Sequence, residues 1–221
     1  MKKIKNDKSL LSKQITSIHK FYKNTSIANS YQMSIKNLPN ASEFGIKNFF
    51  KASSNNYVEE LNNCISQKKN FIQLSDKSII TFYYKLNDKG KIIEHSLSYI
   101  PFILDEENYV SNRLYEHYKD YKYYFDMMID KYVRIDYSDL GYEEFEHSSV
   151  HMHLGLRDNI FRIPVYTYIY PYEFIYIILK HYYQNPYDSL EKLLVDLNKN
   201  RESTLSKLEL SGMFLIIGNK L

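Results

Sequence analysis

The chain has 221 residues, 44% of them hydrophobic, and its 29 basic and 26 acidic side chains give a formal net charge of +3. This length is sufficient for a substantial core, and the charge is too mild to indicate nucleic-acid binding by itself. The single cysteine, Cys64, excludes an intrachain disulfide and a zinc site built from cysteines.

The ends and hydropathy of the chain suggest a cytoplasmic protein. No apolar run reaches the roughly 18 residues of a transmembrane helix, so we expect no membrane partner. The basic N-terminus is not followed by an apolar segment, so we expect no signal peptide. The first 23 residues contain seven lysines and one acidic residue. Such a run is more typical of a solvated terminus than of a nucleic-acid-binding arm.

Helices and loops alternate in the first part of the chain. Apolar residues at spacings of three and four predict helices over 9–23 and 57–69. Cys64 lies on the apolar stripe of the second helix, which favours a buried small hydrophobe over a nucleophile. Residues 24–56 are rich in Asn and Ser and predict loops, with a short helix over 41–53.

Strands follow. Residues 71–74, 79–86 and 91–99 are rich in β-branched and aromatic side chains, and the Asn-Asp-Lys-Gly sequence at 87–90 predicts the turn of a β-hairpin. His95 lies among apolar neighbours on the returning strand, and we predict a hydrogen-bonded structural histidine there.

The rest of the chain completes an α+β pattern. Helical spacing predicts helices over 105–131, 171–183 and 188–201, the second of them led by a proline. The hairpin region 71–99 and the strands within 131–165 would form one sheet. We therefore expect a single α+β domain over the whole chain, with a largely antiparallel sheet of about five to seven strands packed against helices.

The stretch from 131 to 165 concentrates ionisable side chains in an alternating pattern. Strands over 133–137, 150–154 and 160–165 would each place apolar residues toward the core and ionisable residues on an open side. If the strands are neighbours, five such side chains converge: Arg134, Asp136, His151, His153 and Arg162.

Three chemistries are compatible with this set. A metal ion could be held by His151 and His153, with Asp136 or His147 as a third ligand. Without a metal, one histidine could act as base and another as acid in phosphodiester cleavage, with an arginine stabilising the developing charge. The paired arginines could also bind an anion without chemistry. Of these three alternatives, the first would require a cofactor, a divalent metal ion.

A purely structural interpretation also fits these residues. Arg134 and Asp136 could form an ion pair, and His-x-His pairs occur on sheet faces without any catalytic role. Convergence of five polar residues on three strands favours a functional site.

The same stretch resembles an uncharacterised bacterial family, the domain-of-unknown-function family number 2290. The resemblance is carried by RIDYS at 134–138, HSSVHMHLG at 147–155, FRIP at 161–164 and YPYEFIYIILKHYY at 170–183. Ser148 stands where that family commonly has proline. The resemblance implies a bacterial, cytoplasmic, single-domain protein, and it implies no established activity. The order of a hairpin, an R-x-D strand and an H-x-H strand is also similar to TumE-type toxins.

These observations lead to two functional hypotheses. The first is a toxin-like or phage-defence nuclease or phosphoesterase that acts on nucleic acid, with His151 and His153 central and Asp136, Arg134, Arg162 and His147 as ligands or charge-stabilising groups. The second is a non-catalytic binding subunit of a bacterial defence or toxin–antitoxin complex, whose protein partner would be encoded nearby. Its interface would be the tyrosine-rich helix 105–131 and the basic N-terminus.

Overall fold

The alternating apolar pattern in the middle of the chain builds one antiparallel sheet. A computed structural model describes residues 7–23, 28–32, 43–45, 63, 71–74, 76–102, 130–138, 140–144, 146–155 and 162–183. The strands are β1 Ala28–Gln32, β2 Glu43–Gly45, β3 Phe71–Leu74, β4 Ile79–Leu86, β5 Ile92–Ile100, β6 Val133–Ser138, β7 Val150–Leu154 and β8 Ile163–Pro164. The helices are α1 Asp7–Lys23 and α2 Pro171–Tyr182.

The strand order confirms the α+β class. Seven of the described strands lie in the order β1-β3-β4-β5-β6-β7-β8, and the eighth, β2, pairs with the same edge of β4 as β3 does. Every pairing between strands is antiparallel. The sheet therefore follows the chain in order from β3 onward, and β5, β6 and β7 are direct neighbours.

The hairpin between β4 and β5 closes where its turn residues predicted. The Asn87 side-chain oxygen accepts hydrogen bonds from the backbone N–H groups of Lys89 and Lys91, both at 3.0 Å. Gly90 has a φ of 70°, a conformation that costs glycine little.

Both helices contribute to a core on one face of the sheet. Leu11 and Ile15 of α1 and Phe174 and Ile178 of α2 are fully buried in the same apolar cluster as Ile135 of β6. Pro171 begins α2 as predicted, and the Glu173 carboxylate accepts a hydrogen bond from the Tyr170 N–H at 2.8 Å. The opposite face of the sheet carries Ser96 and Ser98 of β5, Arg134 and Asp136 of β6, and His151 and His153 of β7.

The first turn of α1 is tied to the sheet by a carboxylate. Asp7 accepts a hydrogen bond from the Ile92 N–H at 3.0 Å through one oxygen and from the Tyr170 hydroxyl at 2.5 Å through the other. The start of α1, the start of β5 and the segment before α2 are thereby held together.

His95 has the structural role that its apolar neighbours predicted. It is 1% exposed, and its Nε2 accepts a hydrogen bond from the Ile169 N–H at 3.0 Å. Its ring lies between the rings of Tyr84 and Tyr137, each centroid 5.6 Å away.

Several sequence-based expectations need correction. The helix expected over 41–53 is wrong where the structure describes that range, because Glu43–Gly45 forms β2. Of the third site strand, expected over 160–165, the structure describes 162–165, where strand structure is confined to β8 and Arg162 precedes it. β1 and the pairing of β2 were not foreseen, since short Asn- and Ser-rich segments carry a weak strand signal.

The remaining helix predictions fall on little-described segments. Residue 63 is the one described position of 57–69, and it is helical. Of 105–131, only 130 and 131 are described, and 130 is helical. The helix over 188–201 lies outside the described residues. Neither α1 nor α2 has the combination of length and apolar character that crossing a bilayer requires.

Candidate metal centre

The polar faces of β6 and β7 meet in register. Arg134 lies opposite His153, and Asp136 lies opposite His151. Because side chains alternate along a strand, the intervening Val133, Ile135, Val150 and Met152 all enter the core. The structure thus brings together four of the five residues whose convergence the alternation predicted.

The face that carries these residues is not open to solvent, contrary to expectation. Arg134 is 8% exposed, His151 6% and His153 3%. The alternation reports which side chains share a face of the sheet, but it contains no information on whether that face is covered. Burial matters chemically because unpaired polar groups are costly away from water and electrostatic interactions are stronger there.

Two imidazole nitrogens and one carboxylate oxygen form a cluster of potential metal ligands. Asp136 Oδ2 lies 3.6 Å from His153 Nε2 and 3.9 Å from His151 Nε2. One ligand atom from each of the three residues fits within 4.8 Å. Ligands of a tetrahedral zinc-type ion lie about 3.4 Å from one another. Asp136 Oδ2 would have to approach the two nitrogens by about 0.2–0.5 Å, and the widest pair of ligand atoms would have to close by up to about 1.4 Å, to reach this spacing.

The hydrogen bond of His151 fixes which of its nitrogens can bind a metal. Its Nδ1 lies 2.9 Å from the Ser148 carbonyl oxygen, which can only accept, so Nδ1 carries the proton. The Nε2 lone pair is then free and lies on the side of Asp136. Histidines that bind metals commonly donate their second ring N–H to a backbone carbonyl in this way.

His153 is buried without the partners that buried imidazoles usually have. Within the described part of the chain, neither of its ring nitrogens has a hydrogen-bond partner. A buried polar side chain in that condition costs free energy unless a ligand satisfies it. This supports a metal ion or other ligand at the site.

The electrostatics keep both imidazoles neutral. Burial, with further contributions from the charges of Arg134 and neighbouring groups, lowers the pKa of His153 to about 3. Burial also lowers the pKa of His151, and the Ser148 carbonyl and the Asp136 carboxylate oppose that shift. Neutral imidazole is the form that binds metals, whereas a general acid must be protonated near the working pH.

The carboxylate of Asp136 is held at both oxygens. Ser96 Oγ donates a hydrogen bond of 2.7 Å to Oδ1. Arg134 Nε lies 2.7 Å from Oδ2, but its N–H is not aligned on that oxygen, so this contact is an ion pair rather than a well-formed hydrogen bond. The sequence pattern did not indicate this role of Ser96.

His147 and Arg162 lie beside the three clustered ligands. The His147 ring centroid is 4.8 Å from that of His151, and its Nδ1 contacts the Gly141 carbonyl. Arg162 is exposed, and its positive charge contributes to lowering the pKa of both His151 and His153. Neither residue belongs to the three-residue ligand cluster.

Comparison with known proteins gives one family match. The family model described as "Uncharacterized conserved protein (DUF2290)" matches residues 18–217. No curated protein and no solved structure matches the chain, so the similarity to TumE-type toxins rests on the order of motifs alone.

Proposed function

The chain belongs to the DUF2290 family, and we propose that it is a metal-dependent phosphoesterase whose substrates are nucleic acids. The observation that carries the proposal is the convergence of Asp136, His151 and His153 within 4.8 Å on the buried polar face. Two histidines and one carboxylate are a ligand set that catalytic zinc sites use, with further positions open for water and substrate.

The chemistry of the residues favours a metal over metal-free acid–base cleavage. Metal-free cleavage by His151 and His153 needs one of the two protonated, and burial opposes protonation of both. A bound divalent ion would polarise a phosphoryl oxygen and lower the pKa of a coordinated water.

The chain's own residues would then bind and orient the substrate. Arg162, exposed beside the cluster, supplies a positive charge for a phosphate group. His147, next to His151, would accept or donate a proton at Nε2, because its Nδ1 faces the Gly141 carbonyl. Iron-dependent oxygenases also use two histidines and one carboxylate as metal ligands. We favour a phosphoesterase because the positive charge of Arg162 beside the cluster suits a phosphate group.

We also propose a biological setting. A nuclease of this kind would suit a toxin-like or defence-associated role, which the order of motifs suggests. A cytoplasmic location fits the presence of a single cysteine.

The test measures metal content and cleavage together. Purified protein is analysed for bound metals, stripped with chelator and reloaded separately with zinc, manganese, cobalt and nickel. We expect one equivalent to bind and the loaded protein to cleave bis(p-nitrophenyl) phosphate and single-stranded RNA or DNA. Asp136→Asn and His153→Gln should lose both properties. His181→Gln, at an exposed histidine of α2, should retain both.

Folding is checked by circular dichroism and urea unfolding of each variant. A folded wild-type protein that binds none of these metals would contradict the proposal. If it also cleaved no phosphoester and co-purified with a neighbouring gene product, the binding-subunit hypothesis would replace it.

A further inference from the structure

The two oxygens of Asp136 are distinguished by their surroundings. Oδ2 faces the Nε2 atoms of His151 and His153 and forms the 2.7 Å ion pair with Arg134 Nε, whereas Oδ1 accepts the 2.7 Å hydrogen bond from Ser96 Oγ. Ser96 lies directly opposite Asp136 in the pairing of β5 with β6 and is 6% exposed. A hydroxyl held there turns Oδ1 toward β5 and leaves Oδ2 as the oxygen presented to the histidines.

This arrangement determines how the carboxylate can coordinate. A bidentate carboxylate must present both oxygens to the ion at similar distances, but Oδ1 is engaged by Ser96 on the side of β5. Asp136 is therefore set to bind through Oδ2 alone. Two nitrogens and one oxygen suit a divalent transition-metal ion, whereas calcium requires six to eight oxygen ligands.

We propose that Ser96 is a positioning residue that fixes Asp136 as a monodentate ligand of a divalent transition-metal ion held with His151 and His153. The inference rests on the metal centre of the proposed function and adds a fourth residue from a third strand. Hydrogen-bond partners of metal ligands orient those ligands, and their loss typically weakens metal affinity by about 10–100-fold.

The same strand offers a matched control. Ser98 lies two residues from Ser96 on the same face of β5, is 2% exposed and pairs in register with Arg134. Its Oγ accepts from the Tyr132 hydroxyl at 3.5 Å, at the outer limit of a hydrogen bond. Replacing Ser98 with alanine thus removes a buried hydroxyl from the same environment without removing the bond to Asp136.

The experiment compares metal affinity across four proteins. Zinc and cobalt dissociation constants are measured by competition with a chromophoric chelator for wild type, Ser96→Ala, Ser98→Ala and Ser96→Thr. We expect Ser96→Ala to bind about 10–100-fold more weakly, Ser98→Ala to remain within about twofold of wild type, and Ser96→Thr, which keeps a hydroxyl, to recover much of the affinity. The visible spectrum of bound cobalt should change in Ser96→Ala and not in Ser98→Ala.

The outcomes separate this inference from the proposed function. If wild type and Ser96→Ala bind metal with the same dissociation constant and the same cobalt spectrum, the role of Ser96 is overturned, but the metal centre is not. Equal losses in Ser96→Ala and Ser98→Ala also overturn it, since they indicate a general effect of the lost hydroxyls on the fold. Wild type that binds neither zinc nor cobalt overturns both proposals.

Discussion

Replacing His153 with an apolar residue should stabilise the metal-free protein and abolish metal binding. Both ring nitrogens are buried without a hydrogen-bond partner among the described residues, and leucine has a similar volume without polar atoms. We therefore predict that His153→Leu raises the free energy of unfolding of the metal-free protein by about 1 kcal/mol. Urea unfolding in the presence of a chelator measures this change, and metal binding should be lost in the same variant.

His151 provides the comparison for that residue. Its Nδ1 donates to the Ser148 carbonyl, so His151→Leu removes a buried hydrogen bond as well as a metal ligand. The metal-free His151→Leu protein should be less stable than wild type by about 1–2 kcal/mol. If both variants lost stability to the same extent, His153 would have a hydrogen-bond partner, and its burial would carry no free-energy penalty.

At the scale of elements, the attachment of β2 to β4 depends on one glycine. Gly45 has a φ of 89°, and a Cβ built there would lie 1.9 Å from the Phe82 carbonyl oxygen of β4. Gly45→Ala must therefore force β2 and β4 apart, and we expect it to lower the free energy of unfolding by at least about 2 kcal/mol. Urea unfolding gives the value.

Gly141→Ala is a control that introduces backbone strain without this steric overlap. Its φ is 77°, but a Cβ there would meet the His147 side chain only at 3.5 Å. Gly141→Ala should cost about 1 kcal/mol, the penalty of a left-handed conformation alone. A Gly45→Ala loss no larger than that of Gly141→Ala would show that β2 can move off β4 cheaply.

At the scale of the whole molecule, buried tyrosines should set the alkaline limit of stability. Burial is the largest cause that raises the pKa of each of these phenols, to about 12 for Tyr83. The described tyrosines with raised pKa values are Tyr83, Tyr99, Tyr132, Tyr170, Tyr172, Tyr182 and Tyr183.

The sign of the pH dependence follows from these shifts. A phenol ionises more easily in the unfolded chain, so its contribution to stability is complete below about pH 10 and is lost as the pH rises above that value. We predict that these seven phenols ionise only together with loss of circular dichroism, above pH 10, whereas all 23 tyrosines of the guanidinium-unfolded chain titrate near pH 10. Complete tyrosinate formation in a still-folded protein would contradict this.

The sequence predicted which side chains of the site strands share a face, but it did not predict the register or the neighbours of these strands. A two-residue period is enough to assign Asp136 and His151 to the face opposite the core, and that assignment agrees with the structure. The register between β6 and β7 depends on the length and course of the connecting loop. The closeness of Ser96 to Asp136 depends on β5 lying next to β6, across residues 103–129 of the chain. Neither follows from local pattern.

Arg162 illustrates the limit of the same reasoning. Alternation over 160–165 assigned it to a strand face shared with the histidines, but among the described residues 162–165 the pairing with β7 begins at Ile163, and Arg162 lies exposed before it. Pro164 has no N–H to donate, but the Val165 N–H donates to the Val150 carbonyl beyond it. The proline follows Arg162 in the chain, so it gave no local signal that Arg162 would lie outside the strand.

The position of all three candidate ligands on one hairpin has a consequence for the unfolded protein. Asp136, His151 and His153 are close in the chain, so bringing them together in a denatured molecule costs little loop-closure entropy. Denatured chains would then retain some affinity for the same ion. Because ligand-induced stabilisation depends on the difference in affinity between the two states, added metal should raise the melting temperature less than its dissociation constant for the folded protein implies.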